Sequence, residues 1–395
     1  ATEFGTLDVA TLCRASALVM SPGVALSEPA VQAAIANGVR ITGDIDLFAK
    51  AVRAPLVAIT GSNAKSTVTT LVGEMARAAG NSVAVAGNIG LAVLDLLQHD
   101  QPEPALYVLE LSSFQLETTE KLQAKVATVL NVSEDHMDRH GTLHDYRAAK
   151  QRIFAGAAHI VVNRDDAATY PPPEHPATRT SFGLSAAQSS TEFGIRHEGQ
   201  RVWLCQGDAA LLAANDMKLA GMHNVANALA ALALGHAAGL PLPAMLRALR
   251  EFAGLPHRCQ WVATRQGAAW YNDSKGTNVG ATVAAIVGLG AVGPVILLAG
   301  GVGKGADFSD LAPAMRRAGK LAIVFGEDAP RIAAALAGAV AIARVATLEE
   351  AVQLAATRAA AGDVVLLSPA CASFDQFRDY AQRGEHFVAA VEALA

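Results

Sequence analysis

The chain lacks any C-x-x-C pair: its four cysteines, Cys13, Cys205, Cys259 and Cys371, are scattered through 395 residues. That spacing excludes the common zinc frameworks and a secreted disulfide scaffold, and it fits free thiols in a reducing, cytoplasmic setting. No stretch approaches the roughly 18 uninterrupted apolar residues of a spanning helix, so membrane insertion is not expected. The first residues carry neither the basic n-region nor the apolar core of a signal peptide. Charge is sparse and nearly balanced too. A net charge of -5, with charged residues at 17%, supplies no basic surplus for nucleic acid or an anionic membrane. The chain opens at Ala1 rather than methionine, so a longer natural start is expected.

What is present is apolar and regular. Hydrophobic residues make up 52% of the chain, much of it alanine, as in a well-buried globular enzyme. The length favours two or three domains. Short apolar runs at 56–60, 105–111, 126–132 and 159–163 alternate with helical stretches near 66–79 and 224–238. Further runs at 294–298, 321–325 and 363–368 repeat the pattern, while 164–215 is polar and less regular. Continuous apolar strands separated by helices predict an α/β protein with parallel sheets covered on both faces. Boundaries near 54 and 257 divide it into 1–54, 55–257 and 258–395.

Polar clusters sit where these strands end. Gly61, Ser62, Asn63, Ala64, Lys65, Ser66 and Thr67 lie between a strand and a helix, the context a phosphate-binding loop requires. Ala64 stands where the general pattern has glycine, and the segment also reads as an ordinary strand–turn–helix with a surface lysine. A left-handed angle would cost an L-residue roughly 1–2 kcal/mol there, so glycine at 64 is expected to improve binding of the phosphate ligand or any turnover that depends on it. Glu110, Ser112, Gln115 and Glu117 follow the next strand. Asn131, Glu134, Asp135, His136, Asp138 and Arg139 follow another. Ligands of open α/β sheets bind at that edge, and oxygen donors with one histidine suit magnesium or manganese better than zinc.

With Gly221–Asn227, Gly254–Arg258 and Asn272–Asn278, this ordered set resembles the Mur ligase family from about residue 19 to the C-terminus. The resemblance implies three domains: a Rossmann-like N-terminal domain for a UDP-sugar, a central P-loop ATPase with a parallel sheet, and a Rossmann-like C-terminal domain for an amino acid. Only about fifty residues precede the phosphate-loop strand, so the N-terminal domain is expected to be truncated to its second half. The same resemblance gives ATP to Gly61–Thr67, with Asn224, Asn227, Arg258 and Asp273 around the nucleoside. It gives the UDP-substrate to Ser21, Pro22, Gly23, Asn88, Ser112 and Gln115. Two magnesium ions fall to Ser66, Glu110, His136 and Lys150, the last as a lysine carbamylated by carbon dioxide. Lys65, Lys150, His136 and Lys275 are the implied catalytic set, Lys275 beside the transferring phosphoryl group.

The chain lacks an Asp-Asn-Pro-Arg motif of the diaminopimelate-adding branch. Gly300–Phe308 and Leu367–Phe377 instead resemble the D-glutamate-adding branch, which implies Thr277, Lys304 and Ser373 as the dicarboxylate grip. Val302 departs from an aspartate common in that branch. The implied partners are UDP-N-acetylmuramoyl-L-alanine and D-glutamate, acted on by a monomer. The alternatives are a folylpolyglutamate synthase-like ligase, which Ser21–Gly23 and Cys371–Phe377 weigh against, and a catalytically impaired nucleotide-binding fragment.

Overall fold

Apolar runs flanked by polar turns become buried strands in the computed structural model, which describes residues 6–97, 102–219 and 221–394. They form two compact units. The first comprises 1–132, 142–214 and 227–250; the second comprises 133–141, 215–226 and 251–395.

The first unit is built on a nine-stranded sheet. From one edge to the other its strands run Ala209–Ala213, Arg201–Gln206, Glu192–Glu198, Thr178–Phe182, His159–Asn163, Val126–Val129, Leu56–Thr60, Leu106–Glu110 and Val83–Gly87. From Glu192–Glu198 to Val83–Gly87 every pairing is parallel. Leu56–Thr60 lies buried along its whole length between Val126–Val129 and Leu106–Glu110, which explains its uninterrupted apolar sequence.

The segment 164–215, expected to be less regular, carries four strands, three of them forming an antiparallel meander. The signal was weak for a physical reason. Glu192–Glu198 is buried only in its middle, and its last three residues are exposed, so neither alternation nor a continuous apolar run develops. Gly199 supplies the left-handed angle of the tight connection to Arg201–Gln206.

The N-terminal piece is a parallel pair, Ala17–Met20 beside Arg40–Gly43, joined through the helix Pro29–Ala36. The next helix, Asp44–Ala51, sends Ile45 and Phe48 into the same core as Leu56, Ala58 and Tyr107. Phe48 meets Tyr107 edge-on at 5.0 Å. Buried Asp46 accepts from Thr42, Lys50 and the Glu120 N–H. These contacts tie the helix after the N-terminal pair to the core of the nine-stranded sheet.

The second unit has a six-stranded sheet ordered Gln260–Arg265, Ala268–Asn272, Val364–Leu367, Val295–Gly300, Gly319–Phe325 and Ala341–Arg344. All but the first pairing are parallel. Its apolar layers include Leu297 and Leu366 on one face and Ile296, Leu298 and Trp270 on the other.

Candidate active site

In the first unit, three neighbouring strands deliver their C-terminal ends to one place. The loop expected to bind phosphate leaves Thr60 and enters the helix Lys65–Ala78. Asn131, just past Val126–Val129, clasps the loop: its carbonyl accepts from Ser62 N–H at 3.0 Å, its Oδ1 from Asn63 N–H at 2.8 Å, and its Nδ2 donates to the Asn63 carbonyl at 3.2 Å. Asn131 stood in a motif but carried no assigned role; a side-chain amide matching a backbone turn is not legible without the fold.

Two lysines converge on the loop. Lys65 Nζ donates to the Gly61 and Ser62 carbonyls at 2.8 and 3.0 Å. Lys150 Nζ, only 1% exposed, donates to the same Gly61 carbonyl at 2.9 Å and lies 4.3 Å from the Tyr146 ring centroid. Lys150 is therefore part of the phosphate-loop environment, not a surface helix residue. Ser62, Ser66 and Thr67, close to Lys65 in sequence, are buried. Ala64 takes φ 66° and ψ −3°, a left-handed conformation, at the N-cap of the loop helix.

Glu110 stands at the end of its strand in register with Ile59. It is 2% exposed; Oε1 accepts from Asn88 Nδ2 at 2.9 Å, while buried Oε2 has no protein partner. An unpartnered carboxylate oxygen in a buried site is costly unless a cation completes it, so Glu110 fits a metal ligand. Among the described residues no three His, Cys, Asp or Glu side chains form a cage. Magnesium takes one or two carboxylates and completes its shell from phosphates and water.

Asn88 is thus bonded to a candidate metal ligand. Ser112 and Gln115 cap the helix Ser113–Glu117 reciprocally, each side chain bonding the other residue's backbone N–H. Ser21, Pro22 and Gly23 form the turn after Ala17–Met20, with Val24 N–H on the Ser21 carbonyl. Asn224 and Asn227 sit three residues apart on the helix Met222–Ala238 and share a face.

In the second unit, Asp135 is the hub. It accepts from Lys304 Nζ at 3.0 Å and Asn278 Nδ2 at 3.3 Å, and its Oδ2 lies 3.7 Å from His136 Nε2. His136 and Lys304 both hold left-handed backbones, φ 57° and 52°. Strain of this kind gathers at functional sites. A cavity of about 40 Å³ is lined by Asp135, His136, Thr277, Asn278 and Lys304. It unites the expected metal ligand His136 with two of the three expected dicarboxylate ligands. Ser373, 2% exposed, is not among its lining residues, although its loop pairs with the lysine loop through the Val302–Ala372 bridge.

Asp273 is buried and accepts from Ser368 Oγ at 2.7 Å and Cys259 N–H at 3.1 Å. Burial pushes its carboxyl up to about 6, against the pull of Ser368, Cys259 and the nearby Arg258 charge. Both oxygens therefore anchor the loop that carries Lys275 and Thr277, whatever else they contact.

The family models for the Mur ligase middle domain and the Mur ligase glutamate ligase domain match residues 59–235 and 257–371, and that for the Mur ligase MurD-like N-terminal domain matches 1–43. The chain belongs to the Mur ligase family. It is an ATP-dependent ligase with the three-domain α/β fold of Mur ligases. It is 57% identical over 393 residues to the UDP-N-acetylmuramoylalanine–D-glutamate ligase of Pseudomonas aeruginosa, covering 99% of this chain and 87% of that protein. The proteins of the same name from Pseudomonas putida and Nitrosococcus oceani are 56% and 52% identical, each with 99% of this chain and 86% of the relative aligned.

Solved Mur ligases share the fold. MurF of Acinetobacter baumannii superposes with a TM-score of 0.67 at 18% identity over 92% of this chain and 87% of that one. UDP-N-acetylmuramate-alanine ligase of Thermotoga maritima gives 0.64 at 19% over 94% and 84%. Among the described residues no helix of this Mur ligase is long and apolar enough to cross a membrane.

Proposed function

We propose that this Mur ligase adds D-glutamate to UDP-N-acetylmuramoyl-L-alanine in peptidoglycan synthesis, as a cytoplasmic monomer. The observation that carries the reading is 52–57% identity, over 99% of the chain, to relatives bearing that one name. The cavity shared by Lys304 and Thr277 supports it, because a cation and a hydroxyl are what a dicarboxylate needs. No observation favours a folylpolyglutamate synthase.

In this reading the phosphate loop, Gly61 to Thr67, cradles ATP with its backbone N–H groups and Lys65. Asn224, Asn227, Arg258 and Asp273 serve the nucleoside, and Ser21, Pro22, Gly23, Asn88, Ser112 and Gln115 serve the UDP-substrate. The L-alanyl carboxylate attacks the γ-phosphorus, the bond to the β-phosphate oxygen breaks, and ADP leaves. The neutral amine of D-glutamate, held by Thr277, Lys304 and Ser373, then attacks the acyl carbon, loses a proton as the C–N bond forms, and expels phosphate. Lys65 and Lys275 offset the negative charge that builds on the transferring group.

Ser66, Glu110, His136 and carbamylated Lys150 are the proposed ligands of two magnesium ions, whose chemistry is to neutralise phosphoryl charge. Carbamylation turns a cation into an anion, so repulsion of a metal becomes attraction. The modified Nζ keeps one N–H, enough to go on donating to the Gly61 carbonyl as Lys150 does here. Phosphate release from ATP should require both the UDP-substrate and D-glutamate. Release that ignores either one would refute the assignment.

A further inference from the structure

The loop that carries Lys275 follows the strand Ala268–Asn272, yet it is held by residues more than a hundred positions later. The helix Tyr380–Glu392 starts at Asp379, whose side chain caps it by accepting from Gln382 N–H at 2.8 Å. The first turn of that helix then faces the loop group by group. The Tyr380 carbonyl accepts from Ser274 Oγ at 2.7 Å. Arg383 donates from Nε to Ser274 Oγ at 3.0 Å and from Nη2 to the Ser274 carbonyl at 2.8 Å. The Gly384 carbonyl accepts from Asn272 Nδ2 at 3.1 Å. A Cβ on Gly384 would stand 2.2 Å from His257 Nδ1, the atom that pairs with Asn272 Nδ2 at 2.9 Å. Only glycine allows that approach.

Arg383 reaches further. Its guanidinium also donates to the Cys371 carbonyl at 3.1 Å and the Gly300 carbonyl at 3.4 Å. One side chain thereby joins the loops after three adjacent strands, the loops that carry Lys275, Lys304 and Ser373. It is 1% exposed, and burial brings it down to about 10. A buried cation bonded to three separate carbonyls is an expensive way to fill space and a rigid way to fix loops. Finally, the Tyr380 ring centroid lies 3.9 Å from Lys275 Nζ, well inside the range at which an aromatic face attracts an ammonium.

We propose that the first turn of this helix is a positioning device for Lys275: the Tyr380 face fixes its ammonium, and Arg383 fixes the backbone from which it projects. Neither residue needs to touch the reacting atoms. The inference rests on the reading that places Lys275 beside the transferring phosphoryl group.

The test uses the full chain in steady-state phosphate release with ATP, UDP-N-acetylmuramoyl-L-alanine and D-glutamate. Tyr380→Leu keeps apolar bulk but removes the aromatic face, and should lower kcat about tenfold. KM for ATP and D-glutamate should stay within about twofold, since an interaction made through Lys275 acts on the transition state. Tyr380→Phe should retain most of kcat. On a Lys275→Ala background, Tyr380→Leu should add less than about a twofold further loss, because the cation it positions is gone. Arg383→Lys should lower kcat as well; should that variant fail to fold, the Tyr380 series decides alone. Unchanged kcat in Tyr380→Leu, an effect confined to KM, or the same tenfold loss on both backgrounds overturns the inference. Full activity of Lys275→Ala would overturn it together with the role assigned to Lys275. A wild-type chain whose phosphate release ignores D-glutamate would instead overturn the proposed function on which both depend.

Discussion

Replacing Ala64 by glycine should stabilise this protein. The residue holds φ 66° and ψ −3° at the N-cap of the phosphate-loop helix, and its side chain offers no capping bond. An alanine in the left-handed region carries roughly 1–2 kcal/mol of steric cost from its Cβ. Glycine escapes that cost but loses more chain entropy on folding, which returns roughly 0.4–1 kcal/mol. The midpoints of these ranges leave a net gain of about 0.8 kcal/mol, with a small further benefit because glycine caps helices better than alanine. In a chain of this size that corresponds to about 1–3 °C in the melting temperature of the unit that contains the loop. The sequence alone points to a benefit in ATP binding or turnover. The left-handed angle is already part of the loop's structure, so the gain belongs to stability, and ATP affinity should move less than about twofold. Differential scanning calorimetry of both chains, followed by ATP titration, separates the two effects. A glycine variant that melts at the same temperature or lower would refute the strain argument.

Lys150→Ala should abolish most turnover, and a small carboxylate in the buffer should restore part of it; full activity in the alanine variant would mean the buried amine serves packing alone. Lys304→Ala should raise KM for D-glutamate at least tenfold while calorimetric ATP affinity stays nearly constant, and it also frees Asp135 from its ion pair. His223 has both ring nitrogens buried without a protein partner, packed against Gly288, and burial pulls it from 6.5 down to about 4. Its folded value is depressed, so its share of stability is complete above pH 6.5 and drains away as pH falls toward 4. Asp273, raised by burial, runs the opposite way, losing stability as pH rises through about 6. Urea midpoints measured between pH 7 and 4.5 should fall less steeply in His223→Gln than in the parent chain, and parallel curves would reject the effect.

Much of this was legible in the chain because parallel strands buried on both faces spell themselves out. Leu56–Thr60 and Val126–Val129 are fully buried and almost wholly apolar, and ligands of such sheets bind at the strands' C-terminal ends. The motifs around Lys65, Glu110 and His136 could be found that way. The meander of 192–213 could not, because half-exposed antiparallel strands dilute both periodicities. Nor could the core that Ile45 and Phe48 join, since helical spacing reveals a buried face but not its partner. Backbone strain at His136 and Lys304 was hidden as well, because neither is the glycine that announces a left-handed angle. The grip of Tyr380 and Arg383 on Ser274 and Lys275 spans a sequence separation that no local pattern bridges.

The most direct measurement of the central claim is a competition. The chain is incubated with ATP, magnesium, UDP-N-acetylmuramoyl-L-alanine and equal amounts of D-glutamate, L-glutamate and diaminopimelate. Products are resolved by chiral chromatography and mass spectrometry, with phosphate counted in parallel. The expected result is a single adduct, that of D-glutamate, with one phosphate released for each amide formed. An L-glutamate or diaminopimelate adduct in comparable yield, or phosphate released without amide, would contradict the account.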